Sequence, residues 1–168
     1  MEPNLLVKYS SQSGYLTGRS EVHGIINRLG DKNSEQELLA PGIMAVQTEL
    51  KARKVTEELR DMYATDPDSI RHTTLWLPVD NWCDASEIAI RKSLEEDIKP
   101  LFTESDQYRI EIYCHKGELT AEKLKRLVLL FLKGTINEEN PQKILRMDLF
   151  LENVAITVMR PKDIFSRA

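Results

Sequence analysis

The sequence predicts an α+β protein built from two small units, and three observations carry that expectation. Residues 1–81 order their apolar runs as β-α-β-β-α-β, the split βαβ arrangement. Residues 82–168 follow a different order, α-β-α-β-β, so the halves are not copies of one another. Charge is also divided: residues 1–108 hold 12 Lys/Arg against 19 Asp/Glu, and residues 109–168 hold 11 against 8. Such an asymmetry suggests a basic working surface carried on an acidic neighbour. At 168 residues with 41% hydrophobic content, the chain can fill two cores.

In the first unit, residues 4–9 form a short apolar strand, and the Ser- and Gly-rich stretch 10–18 reads as a loop. A helix is expected from Ser20, with Val22, Ile25, Ile26 and Leu29 on one face and Gly30 closing it. Pro41-Gly42 is a turn dipeptide between strands at 35–40 and 43–50. Residues 52–63 repeat the helical pattern through Val55, Leu59 and Met62, and Asp66-Pro67-Asp68 stops it. The β-branched and aromatic run 72–79 is the last strand of the unit. This order is that of a ferredoxin-like βαββαβ domain. Residues 80–84 read as a polar junction.

The second unit opens on a helix from Ser86 to Leu94 that can extend to Phe102, with Ile88, Ile90 and Leu94 turned inward. Residues 108–114 alternate, placing Ile110, Ile112 and Cys114 on one side and Arg109, Glu111 and Tyr113 on the other. Thr120 caps the next helix, whose stripe is Leu124, Leu127, Val128 and Phe131. Lys123, Lys125, Arg126 and Lys133 sit mainly off that stripe. After an acidic loop and Asn140-Pro141, residues 144–149 and 154–159 make a strand pair, read as a hairpin around Asn153.

Several function classes are disfavoured. No apolar run has the length of a membrane span and no signal-peptide pattern opens the chain, so a cytoplasmic protein without membrane partners is expected. Cys83 and Cys114 stand apart, which gives neither a disulfide framework nor closely spaced zinc ligands. Neither a phosphate-cradling Gly-rich loop with Lys-Ser/Thr nor a dinucleotide fingerprint occurs. His23, His72 and His115 are scattered. The expectation is a non-catalytic protein with no cofactor and no metal.

The run from Tyr108 to Val158, with its strand, basic helix, acidic loop, Asn140-Pro141 and closing strand pair, resembles the THUMP domain of tRNA-modifying enzymes. The split βαβ before it resembles the ferredoxin-like domain that accompanies THUMP. Ala40-Pro41-Gly42-Ile43, the segment 76–82 (WLPVDNW) and the segment 159–165 (MRPKDIF) look like the stand-alone THUMP adaptors that assist an acetyltransferase in modifying a tRNA cytidine. The resemblance implies a tRNA-binding adaptor that holds the acceptor arm for a separate modification enzyme. It also implies a division into residues 1–81, ferredoxin-like, and 82–168, THUMP-like.

On that reading Arg109, Lys116, Lys123, Lys125, Arg126, Lys133, Lys143, Arg146 and Arg160 are the candidate phosphate contacts, since ammonium and guanidinium groups displace the counterions of a nucleic acid. Tyr113 is a candidate for stacking on an unpaired base, or a half-buried sheet tyrosine. The residue pattern alone also fits the wet side of an amphipathic helix. The alternative function is a protein-interaction module without RNA, in which the acidic segments 52–63 and 87–97 face a basic enzyme.

Overall fold

The structure is a computed structural model and describes residues 2–167. It is mixed α and β, with two five-stranded sheets. The chain divides into two compact units. One runs to Val79 and includes the segment from Lys162 onward, and the other spans Asp80–Pro161.

The first unit contains β1 (Leu5–Tyr9), α1 (Gly14–Arg28), β2 (Glu35–Ala40), β3 (Ile43–Gln47), α2 (Ala52–Thr65) and β4 (Thr73–Pro78). Its strands lie in the order β4-β1-β3-β2, each antiparallel to its neighbour. Leu5 and Val7 of β1, Met44 and Val46 of β3, and Trp76 of β4 meet Val22, Ile25, Ile26, Val55 and Leu59 of the helices in one core. The period of two in the strands thus interlocks with the helical period.

The helix α1 begins earlier than expected, inside the stretch that reads as a loop. Gly18 is the reason: a Cβ there would lie 2.8 Å from the Cβ of Tyr9, so this glycine permits close helix–strand contact and does not signal a loop. The Tyr9 hydroxyl in turn accepts a hydrogen bond from the Gly42 N–H at the β2–β3 turn.

In the second unit the junction expected at 80–84 is a strand, β5 (Asn81–Asp84). It is followed by α3 (Glu87–Ser93), which continues through a π turn (Leu94–Ile98) and a 3-10 turn (Lys99–Leu101). Ile90, Leu94 and Ile98 are buried, whereas Ile88, expected to face inward, is 83% exposed. Then come β6 (Gln107–Cys114), α4 (Ala121–Leu129), β7 (Thr135–Ile136), β8 (Lys143–Leu149) and β9 (Asn153–Met159). The order is β5-β9-β8-β6-β7, with β6 parallel to β7 and β8, and the β8–β9 hairpin antiparallel. Tyr108, Ile110, Leu145, Met147, Leu149, Val154 and Ile156 form the apolar face against α3 and α4. Cys114, assigned to that face by alternation, is exposed at the strand's end.

The last strand, β10 (Phe165–Ser166), pairs antiparallel with β4 of the first unit, and Phe165 enters that core. The structural division therefore differs from the expected 1–81 and 82–168. The segment 162–167 belongs with the first unit because its aromatic side chain and short ladder are satisfied there, links between residues about 90 positions apart that local patterning cannot reveal. Arg167 strengthens the return by donating from Nε to the Thr73 carbonyl at 2.6 Å and from Nη2 to the Arg71 carbonyl at 2.7 Å.

Candidate nucleic-acid interface

Helix α4 supplies the exposed cations. The Thr120 hydroxyl accepts from the Lys123 N–H at 3.3 Å and fixes where the helix begins. Leu124, Leu127 and Val128 are buried, so the 3.6-residue period turns Lys123, Lys125 and Arg126 outward. Lys123 is engaged, its Nζ lying 3.2 Å from Glu87 of α3, and this ammonium holds the Glu87 carboxyl below its usual range. Lys125 and Arg126 are exposed and carry no ion pair or side-chain hydrogen bond among the described residues, and the same is true of Lys116 and Lys133.

The cations on the sheet are placed quite differently. Strands β6 and β8 run parallel with Glu111 opposite Arg146 and Tyr113 opposite Asp148. Arg146 is only 4% exposed; its Nε donates to Asp148 at 2.8 Å and its Nη2 to the other carboxylate oxygen at 3.2 Å. Its Nη1 lies 3.8 Å from Glu111, and its guanidinium sits 4.1 Å from the Tyr113 ring centroid. Asp148 also meets His115 Nε2 at 2.8 Å, and the His115 ring stacks on Phe150 at 4.9 Å. Burial opposes charge on Asp148, yet the hydrogen bonds from His115 and Arg146 hold its carboxyl below the usual range.

Arg109 and Lys143 are likewise occupied. Arg109 donates from Nη1 to the Glu138 carbonyl at 3.0 Å and lies 3.2 Å from Glu111 through Nη2. Lys143 Nζ donates to the Leu101 carbonyl at 2.6 Å and to Asp106 at 2.9 Å, above the Phe102 ring. That ammonium, together with the Thr103 N–H, depresses the Asp106 carboxyl. Arg160 is exposed just beyond β9. Eight of the nine expected contacts thus sort into two groups: Lys116, Lys125, Arg126 and Lys133 present unengaged charge among the described residues, whereas Arg109, Lys123, Lys143 and Arg146 are tied to acceptors. Arg146 is corrected from a surface contact to an interior ion pair, and Tyr113 is a ring with Arg146 already against it.

The charge asymmetry is corrected too. Divided at the structural boundary, Asp80–Pro161 holds 12 Lys/Arg against 15 Asp/Glu, so the unit that carries α4 is net acidic. Its positive character is local to α4 and its flanks. The Arg146–Asp148–His115 group was missed by reading cations singly; the signal was the two-residue spacing of Arg146 and Asp148, which puts both on one face of a strand.

Burial, with the carboxylates of Asp84 and Asp97, pushes the Cys83 thiol up to about 11, and burial also raises Cys114. His72 is turned to Ser13, whose hydroxyl lies 2.7 Å from Nδ1. No helix among the described residues is long and apolar enough to cross a membrane.

Comparison of the sequence with known protein families and with curated proteins gives no match. Solved structures do share the fold. PH1313 from Pyrococcus horikoshii Ot3 superposes over 94% of this chain with a TM-score of 0.61 at 12% identity. TrmN from Thermus thermophilus covers 94% with a TM-score of 0.59 at 13% identity. A 4-thiouridine synthetase in complex with RNA and ATP covers 95% with a TM-score of 0.51 at 13% identity. The chain spans only 54%, 46% and 42% of those three proteins, so each has further parts beyond the shared region.

Proposed function

We propose that the chain is a THUMP-type tRNA-binding adaptor, without catalysis of its own, that presents the acceptor arm of tRNA to a separate modification enzyme, a cytidine acetyltransferase. The observation that carries the reading is the pair Lys125 and Arg126, adjacent on the outer face of α4 and in no ion pair among the described residues. Lys116 and Lys133 extend the same kind of surface. An ammonium or guanidinium that is hydrated and unpaired can be transferred to a phosphate without first breaking an ion pair. One of the three likenesses supports this reading by name, the 4-thiouridine synthetase in complex with RNA, and the β-α-β-β-α-β order with strands 4-1-3-2 agrees with a ferredoxin-like companion domain.

An adaptor contributes position. Tethering the substrate beside an enzyme raises its effective concentration and strengthens engagement by about 10²–10⁴ without new chemistry. Supplied with acetyl-CoA and ATP, the protein alone is expected to bind tRNA and leave every nucleoside unmodified. Together with the acetyltransferase it lowers the apparent Michaelis constant for tRNA. Nucleoside analysis after incubation with each protein singly and with both is the test. Acetylated cytidine made by this protein alone would falsify the adaptor reading, and identical product with and without it would remove the partnership. A gel-shift titration with total tRNA at low salt tests the binding step; no complex up to about 10⁻⁴ M, the weak end of non-specific association, removes the RNA reading.

A further inference from the structure

Within the first unit, the end of α1 and the start of α2 enclose a recess of about 340 Å³. Its floor is aliphatic: Val55 is 1% exposed, and Leu29 and Leu50 are half-buried against the unit's core. Lys51, Val55 and Glu58 stand at i, i+4 and i+7, so α2 turns one face to the recess, and Lys54 joins them from i+3. Arg28, in the last turn of α1, is contributed by the other helix.

The charges around the floor are of two kinds. Lys54 is engaged, its Nζ lying 3.3 Å from Glu58 and 3.7 Å from Glu57. Arg28 and Lys51 carry no ion pair or side-chain hydrogen bond among the described residues. The rim therefore keeps two unengaged cations over three aliphatic side chains. The first turn of α2 adds a field of the same sign, since the positive end of the helix dipole lies there. On α4 the unengaged cations ride the outer face of a helix, which suits a phosphate backbone; here they rim a concave apolar floor that a phosphate leaves unfilled. An uncharged apolar molecule fills the floor and gains nothing from the rim. An anion attached to an apolar body matches both, and the volume admits one, since small-molecule sites begin at about 300 Å³.

We propose that this recess binds a small organic anion with an apolar body, an alkyl carboxylate in its simplest form. The head sits between Arg28 and Lys51, and the body lies on Leu29, Leu50 and Val55. Burial of the body supplies most of the affinity, and the two cations select the sign of the head. Such a site is independent of whether α4 binds RNA.

The test titrates the full chain with hexanoate at low salt and follows backbone amide shifts. Saturable shifts are expected at Leu29, Leu50, Lys51 and Val55. Acetate, which lacks the body, and hexylammonium, which reverses the head, should each bind at least about tenfold more weakly. Arg28→Gln with Lys51→Gln should weaken hexanoate by about tenfold, whereas Lys54→Gln, removing a cation already engaged by Glu58, should change it by less than about threefold. All three side chains are exposed, so the variants should fold, and unchanged amide shifts away from the recess verify that they do. Saturating tRNA should leave the hexanoate shifts in place. Equal binding of hexanoate and hexylammonium, affinity unchanged by the double substitution, shifts centred outside the recess, or displacement of hexanoate by tRNA would each overturn the proposal. A chain that binds hexanoate in the recess and no tRNA would keep this site and lose the adaptor.

Discussion

Helix α4 and the β6–β8 strand pair carry cations in similar number, and the two surfaces use them in opposite ways. On α4 the buried stripe of Leu124, Leu127 and Val128 forces Lys125 and Arg126 outward, where neither makes an ion pair among the described residues. On the strands, parallel pairing sets Arg146 beside Glu111, and Asp148 two residues along completes a buried group. A helix spreads its polar side chains around an arc, while a sheet lines them up across a 4.8 Å gap, near enough for opposite charges to bind each other. The difference teaches that formal charge does not measure capacity for phosphate. The unit containing α4 is net acidic, and its electropositive surface is the residue left after internal pairing.

The largest effect should come from breaking the interior pair. Arg146→Ala leaves Asp148, 1% exposed, with His115 as its remaining side-chain partner. Removing one member of a buried ion pair costs about 3–5 kcal/mol, much of it the uncompensated charge left behind. Denaturant unfolding should show that loss, and tRNA affinity measured where the variant is still folded should be unchanged. Wild-type stability combined with weakened RNA binding would reverse the assignments of the two surfaces.

The next effect is on binding. Lys125→Glu with Arg126→Glu should lower tRNA affinity by about tenfold or more at low salt and reduce the slope of log affinity against log salt by about two, roughly one per lost phosphate contact. Stability should move by less than about 0.5 kcal/mol, since both side chains are exposed and neither makes an ion pair among the described residues. Unchanged affinity with an unchanged circular dichroism spectrum would return α4 to plain solvation.

The sequence made one of these surfaces legible and concealed the other. A capped amphipathic helix is a local object: Thr120, the stripe and the outward cations lie within one short window. The strand positions of β6, β8 and β9 were equally readable from alternation. What was hidden depends on partners distant in the chain. Lys143 finds Asp106 across 37 positions, Arg146 finds Glu111 across a parallel ladder, and Phe165 returns to Trp76 of β4. The two-residue β7 is too short to leave a pattern, and β5 hid because Asn81 and Asp84 bracket it with residues common in turns. Gly18 misled for a different reason, being a packing contact inside a helix.

The smallest effect lies between the two surfaces, at Lys143, whose side chain is 31% exposed and bridges to Asp106. Lys143 holds the folded-state carboxyl of Asp106 below its unfolded value. A carboxyl depressed in this way contributes stability above its unfolded pKa, near 4, and that contribution is lost as pH falls through the lower folded value. Lys143→Met keeps the stem over Phe102 and removes the ammonium, so Asp106 retains the Thr103 N–H at 2.7 Å and returns part of the way towards its ordinary range. The stability difference between about pH 7 and pH 3 should therefore shrink, by roughly 0.5 kcal/mol given partial exposure and solvent screening. Asp148, held down by His115 and Arg146, should keep most of the remaining acid sensitivity. Urea unfolding at the two pH values measures the first quantity, and a tRNA titration at neutral pH supplies the comparison. If Lys143 is an engaged cation, its removal flattens the acid limb and spares tRNA binding. A loss of affinity as large as that of the α4 variant, with the acid limb unaltered, would place Lys143 on the RNA surface and show that an ion pair of this exposure does not withdraw a lysine from phosphate.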